Sequence, residues 1–183
     1  MFIRKTMLAT AIIAMGSMSL AHAAAVQDQG HGKVTFKGSI IDAPCSISSE
    51  SVDQTVELGQ ISTSALADSG KSKPQNFQFK LEGCVLGKEQ SVSATFSGSK
   101  SIANEALLGI TGTASGAGIA ITDSSGILIK LGEKSSQRSI INGNNTMQFS
   151  AYLQGDKKDK DGKDAPIVPG EFTSVADFTL AYQ

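Results

Sequence analysis

Cys45 and Cys84 are the residues of this chain best equipped for covalent chemistry. A thiol can attack an electrophile, bind a metal or join a second thiol, and its neighbours decide which. Neither cysteine has a His or another Cys at ligand spacing, which speaks against a metal site. Past the leader described below there is one histidine, His31, set between Gly30 and Gly32. A serine nucleophile would have to recruit it as base, and no Gly-x-Ser-x-Gly elbow stands between a strand and a helix pattern. Gly70-Lys71-Ser72 ends like a phosphate-binding loop, but the loop's first Gly belongs at a position held by Ala65. Gly109, Gly112, Gly116 and Gly118 lack the Gly-x-Gly-x-x-Gly order of a dinucleotide site. The run from Asp156 to Asp164 mixes acidic residues with Gly162 as a calcium loop would. Lys fills several of the alternate ligand positions, however, so a solvated charged loop is the plainer reading. No catalytic, cofactor or metal site is assigned, and the chain is not expected to be an enzyme.

The elements that hold these residues begin after a leader. Arg4 and Lys5 precede an apolar stretch from Met7 to Leu20 and then Ala21-His22-Ala23, the arrangement of an export signal cleaved after Ala23. The stretch is shorter than a membrane-spanning helix requires, so a soluble exported product is expected. The remaining 24–183 suffice for one domain. With 16 Lys+Arg against 17 Asp+Glu, the chain has none of the basic excess of a nucleic-acid binder. In an oxidising compartment Cys45 and Cys84 are read as one disulfide, with two separate buried thiols as the alternative. A bridge closing a loop of this length would remove about 4 kcal/mol of unfolded-chain entropy.

Gly and Ser recur at short intervals, Pro is scarce, and alternating apolar segments lie between them: the appearance of an all-β sandwich or barrel. Strands are predicted at Val34–Ile40, Val56–Leu58, Phe77–Leu81, Val92–Phe96, Gly118–Thr122, Ile127–Leu131, Thr146–Leu153 and Asp177–Gln183. One short helical turn is predicted around Ser62 to Asp68, capped by Ser62 or Thr63.

The two ends carry the strongest pattern. Ala176, Phe178, Leu180 and Tyr182 share one face of a strand that alternates up to Gln183, and an apolar strand of this kind calls for a covering partner. Val34, Phe36, Gly38 and Ile40 alternate ahead of Pro44 and Cys45, so this segment can move as an arm without disturbing the bridge. Two outcomes stay open: the arm folds onto its own domain as an edge strand, or it adds to the sheet of another molecule. In the second case Gly38 marks a position where no side chain fits.

Gly32-Lys33-Val34-Thr35-Phe36-Lys37-Gly38, Asp42-Ala43-Pro44-Cys45-Ser46-Ile47 and Ser51 to Gln60, with Cys84 closing a Phe-rich strand, Gly170 and the penultimate Tyr182, together resemble the major subunits of chaperone–usher fimbriae of the type 1 and P-pilus kind. The likeness extends over essentially the whole chain after the leader, although 87–145 matches in character alone. It implies an incomplete immunoglobulin-like β-sandwich lacking its seventh strand and completed by donor-strand exchange. Residues 1–23 would be the signal peptide, 24–43 the donor extension and 44–183 the pilin domain. Val34, Phe36, Gly38 and Ile40 would be the donor positions. Ala176, Phe178, Leu180 and Tyr182 would line the acceptor groove and meet the chaperone, and Cys45 and Cys84 would staple the fold. The implied partners are neighbouring copies in a homopolymer, a periplasmic chaperone, an outer-membrane usher and other fimbrial subunits, on a route through the periplasm to an extracellular fimbrium that supports adhesion. The alternative is a minor or tip-proximal subunit that binds a receptor directly.

Overall fold

The computed structural model describes residues 30–157 and 166–183. The expected signal peptide, residues 24–29 and most of the charged run lie outside the described residues. The chain divides into two units at Ser39/Ile40. In the first, residues 30–39 carry neither helix nor strand, and Val34 and Phe36 are 75% and 90% exposed.

The second unit is built on strands β1 Ser46–Ile47, β2 Gln75–Cys84, β3 Ser91–Gly98, β4 Leu108–Gly109, β5 Thr111–Gly112, β6 Ala117–Asp123, β7 Leu128–Ile129, β8 Arg138–Ser139, β9 Gly143–Gly155, β10 Phe172–Thr173 and β11 Ala176–Tyr182. One sheet runs β1-β2-β9-β6-β4, with β7 on β6; a second runs β11-β3-β8; β10 pairs β5. Every named pairing is antiparallel.

Period-two alternation decides what faces inward. In β2, Phe79 and Leu81 are buried while Asn76 and Gln78 are exposed. In β3, Val92, Ala94 and Phe96 are buried on one face. The strands of the two sheets meet over a single cluster that includes Phe79, Leu81, Val92, Phe96, Met147 and Phe149. Cys45 and Cys84 are bonded, with the sulfurs 2.10 Å apart, and both are buried. The bridge ties the chain just before β1 to the end of β2. Register narrows the choice of residue where β3 ends: Gly98 stands opposite Ala176, and a Cβ there would lie 2.6 Å from Leu108 Cδ1.

Several sequence expectations need correction. Val56–Leu58 forms no strand; the segment keeps its alternating exposure, but a ladder needs a second backbone, and none of the described strands pairs with it. Val34–Ile40 forms none in this chain for the same reason. Ile127–Leu131 shrinks to Leu128–Ile129, held between Gly126 and Gly132, both at positive φ. The helical turn is present as α2 Thr63–Leu66, whose Ser62 Oγ accepts the Ala65 amide at 3.3 Å. A second turn, α1 Ser49–Val52, follows β1 and was not foreseen.

Candidate functional site

The small sheet ends on β11, which pairs β3 on one side and no described strand on the other. Its register runs from Ala176 opposite Gly98 to Tyr182 opposite Val92. Beyond the strand's end, the Gln183 amide donates to Ser91 O and the Ser91 amide donates to Gln183 O, both at 2.9 Å. Antiparallel ladders alternate bonded with non-bonded pairs. Counting back from the bonded pair Gln183–Ser91, residues 182, 180, 178 and 176 are the non-bonded ones. Their N–H and C=O groups therefore point away from β3, toward the open edge.

The same four residues, Ala176, Phe178, Leu180 and Tyr182, direct their side chains onto the core cluster while staying partly exposed. Phe178 stacks on Phe79 with ring centroids 4.0 Å apart and planes 21° from parallel. Phe79 also meets Phe77, Phe96 and Phe149, at 5.9, 6.0 and 5.1 Å. The Tyr182 hydroxyl is buried without a hydrogen-bond partner, and burial pushes its pKa up. The edge thus offers unpaired backbone groups beside uncovered apolar side chains, the two things an added strand supplies.

Ala176, Phe178, Leu180 and Tyr182 lie together on β11, and Cys45 and Cys84 are joined. Val34, Phe36 and Gly38 fall in the unit ending at Ser39, and Ile40 opens the second unit. Phe79, which supports Phe178 of β11 from beneath, is predicted from sequence as a strand residue but not as part of the site; the aromatic alternation Phe77-Gln78-Phe79 is the available signal.

Nothing catalytic competes with this edge among the described residues. A cleft of about 820 Å³ over the start of β2, lined by Gln54, Val56, Glu57, Phe77, Gln148 and Ser150 among others, has no histidine or cysteine in its lining. No group of three or more His, Cys, Asp or Glu could hold a metal there. Asp123, the buried carboxylate, is committed to structure. Burial works to raise its pKa, but hydrogen bonds from Ser136 Oγ and the amides of Ile127 and Ser125 outweigh burial and hold it below the usual value.

Fold and edge together define a class of protein: an incomplete immunoglobulin-like β-sandwich with an apolar strand at an open border. Residues 34–183 match the family model described as fimbrial protein. The chain is 58% identical over 183 residues to the Fimbria A protein of Serratia marcescens, covering 100% of both. It is 45% identical over 173 residues to the Major MR/P fimbria protein of Proteus mirabilis strain HI4320, covering 94% of this chain and 95% of that one. Among solved structures it resembles the P pilus rod subunit PapA, with 27% identity, a TM-score of 0.67, and coverage of 77% of this chain and 100% of that one. A subunit in a chaperone–usher pilus structure aligns with 31% identity and a TM-score of 0.73, covering 85% and 97%. The chain belongs to the fimbrial protein family, and it is a structural subunit of an extracellular fimbria, not an enzyme.

Proposed function

We propose that this subunit polymerises head to tail, each copy laying its own residues 34–40 along β11 of the next. On this reading residues 1–23 direct export and are removed, 24–43 become the donor arm, and 44–183 form the acceptor domain. The observation that carries it is the edge of β11, where Ala176, Phe178, Leu180 and Tyr182 present both backbone groups and half-covered side chains.

The chemistry of the two segments suggests one register. An antiparallel donor places paired residues on the same face, so apolar must meet apolar. Setting Gly38 against Phe178 puts Ile40 against Ala176, Phe36 against Leu180 and Val34 against Tyr182. The smallest donor residue then meets the ring already stacked on Phe79, and the smallest acceptor residue meets a branched side chain. A slip of two residues in one direction sets Phe36 against Phe178; a slip in the other sets Ile40 there. Burying each of Val34, Phe36 and Ile40 contributes about 2 kcal/mol, against the cost of ordering the arm.

An edge of this kind also invites wrong pairing before the right neighbour arrives. A periplasmic chaperone covering β11, followed by transfer to the next subunit at an outer-membrane usher, meets that need. The relatives named as major fimbrial proteins favour a rod subunit over a minor or tip-proximal one that binds a receptor.

The test is light scattering behind size exclusion on the exported protein, comparing the full arm with a chain lacking residues 24–42. Polymers that resist SDS in the first and monomers in the second are expected. Stable monomers in both would overturn strand donation.

A further inference from the structure

The two ends of the sandwich each carry exposed apolar side chains. At the end holding the disulfide, Val85 is 78% and Ile141 69% exposed. Cys84 stands opposite Gly143, the Leu86 amide donates to Asn142 Oδ1 at 2.8 Å, and Asn145 exchanges hydrogen bonds with the backbone of Ile141. These contacts fix Val85 and Ile141 on adjoining loops beside the bridge. At the opposite end, Ile102 is 80% and Val175 77% exposed. Val175 immediately precedes β11, whose first residue pairs Gly98 at the end of β3. Ile102 follows a few residues later, where the Ser101 amide donates to Leu107 O and the Ser99 carbonyl accepts the Gly109 amide. Ser174 Oγ donates to Gly109 O at 2.6 Å and ties the two segments to one rim.

We propose that these two apolar patches form a direct contact between consecutive copies: Val85 and Ile141 of the donor subunit against Val175 and Ile102 of the acceptor. The inference rests on strand donation in the register given above, and the length of the tether carries it. With Ile40 seated against Ala176, the donor's Cys45 lies five residues further along its own chain. An extended backbone covers at most about 3.6 Å per residue, so that cysteine sits within about 18 Å of the donor's own Ile40 and, with one inter-strand spacing of about 5 Å added, within about 23 Å of the acceptor's Ala176. The donor's disulfide end is thereby held against the acceptor's Val175 end. Neither patch meets itself, because the operation relating the copies is head to tail; such a heterologous contact extends into a fibre without closing. Two apolar surfaces forced into proximity exclude water between them, which would stiffen the junction beyond what a single added strand provides.

The experiment uses complete fibres from chains carrying Val85→Cys with Val175→Cys, or Ile141→Cys with Ile102→Cys, treated with a short thiol-reactive bismaleimide. The native cysteines are bonded to each other and buried, so they stay silent. The expected result is a covalent ladder surviving boiling SDS in at least one paired variant. Each single variant should give none, and so should a paired variant lacking residues 24–42. Fibres that assemble through the arm yet give no ladder for either pair would overturn the end-to-end contact and leave strand donation standing. Assembly that does not depend on the arm would overturn both.

Discussion

Phe178 stacks on Phe79 at 4.0 Å although it lies on the last strand of its sheet, with no described strand beyond it. An aromatic ring that close to the core normally has a neighbour on each side. Here one side is covered by Phe79 and the rest of the aromatic cluster, while Phe178 itself stays partly exposed. Phe178→Ala removes the stack and opens the core along β11. It is expected to lower stability by about 3 kcal/mol, the lower part of the range for a buried Phe, because the ring is only partly covered in the single chain. Urea unfolding of the monomer checks this, and a loss below about 1 kcal/mol would show that the ring contributes little before a partner arrives.

The disulfide acts on a different part of the energy. Cys45 and Cys84 are 39 positions apart and close the segment that carries β1, both helical turns and β2. Replacing both by Ala is expected to cost about 4 kcal/mol, mostly through the unfolded chain. The prediction is a lower urea midpoint for the double variant, with the oxidised parent unchanged by alkylating reagents and the reduced parent behaving like the variant.

Tyr182 separates the worth of its ring from that of its hydroxyl. The hydroxyl is buried with no hydrogen-bond partner, so Tyr182→Phe removes an unsatisfied polar group at almost constant shape. Its stability should equal or exceed that of the parent by up to about 1 kcal/mol. Thermal unfolding of the two proteins side by side gives the sign, and a marked loss would mean that the hydroxyl has a partner in solution.

Asp123 predicts a pH dependence. Its pKa is lowered in the folded chain, despite burial, by Ser136 and the amides of Ile127 and Ser125. A group whose folded pKa is depressed contributes stability above its unfolded value, about 3.9 for Asp, and loses that contribution as pH falls through the folded value. Asp123→Asn should therefore reduce stability at neutral pH and flatten the loss on acidification below about pH 4. Urea midpoints between neutral and acid pH test both parts, and parallel curves for the two proteins would rule the assignment out.

The long elements were legible because one face of each is buried: Phe77-Gln78-Phe79-Lys80-Leu81, Val92 to Phe96 and Ala176 to Tyr182 alternate in sequence and appear as β2, β3 and β11. Two-residue strands such as β4, β5 and β10 are too short to have a period, and their positions depend on close backbone approaches that a sequence pattern does not record. Val56–Leu58 and Val34–Ile40 show the opposite failure. Their alternation is genuine, but a strand is defined by a partner backbone, and pattern alone does not say whether that partner belongs to the same chain. At the site, Ala176, Phe178, Leu180 and Tyr182 were readable as one face of a strand. The support from Phe79 was not, because it depends on how two sheets pack.

Gly38 gives the sharpest test of the proposed register. In the single chain a Cβ added at Gly38 would meet nothing within 4 Å, so Gly38→Leu should leave the monomer's stability unchanged. In the polymer the same side chain would be driven against Phe178, whose ring already occupies the space above Phe79. Assembly by Gly38→Leu should therefore fall by at least about tenfold, which corresponds to about 1.4 kcal/mol of overpacking. Combining it with Phe178→Ala makes room at the position of the clash. If the two residues face each other, the double variant should assemble better than Gly38→Leu alone, despite the lower stability of its domain. Pairing Gly38→Leu with Leu180→Ala instead should give no such recovery, since Leu180 would face Phe36. Recovery with Leu180→Ala and none with Phe178→Ala would shift the register by two residues and place Gly38 opposite Leu180.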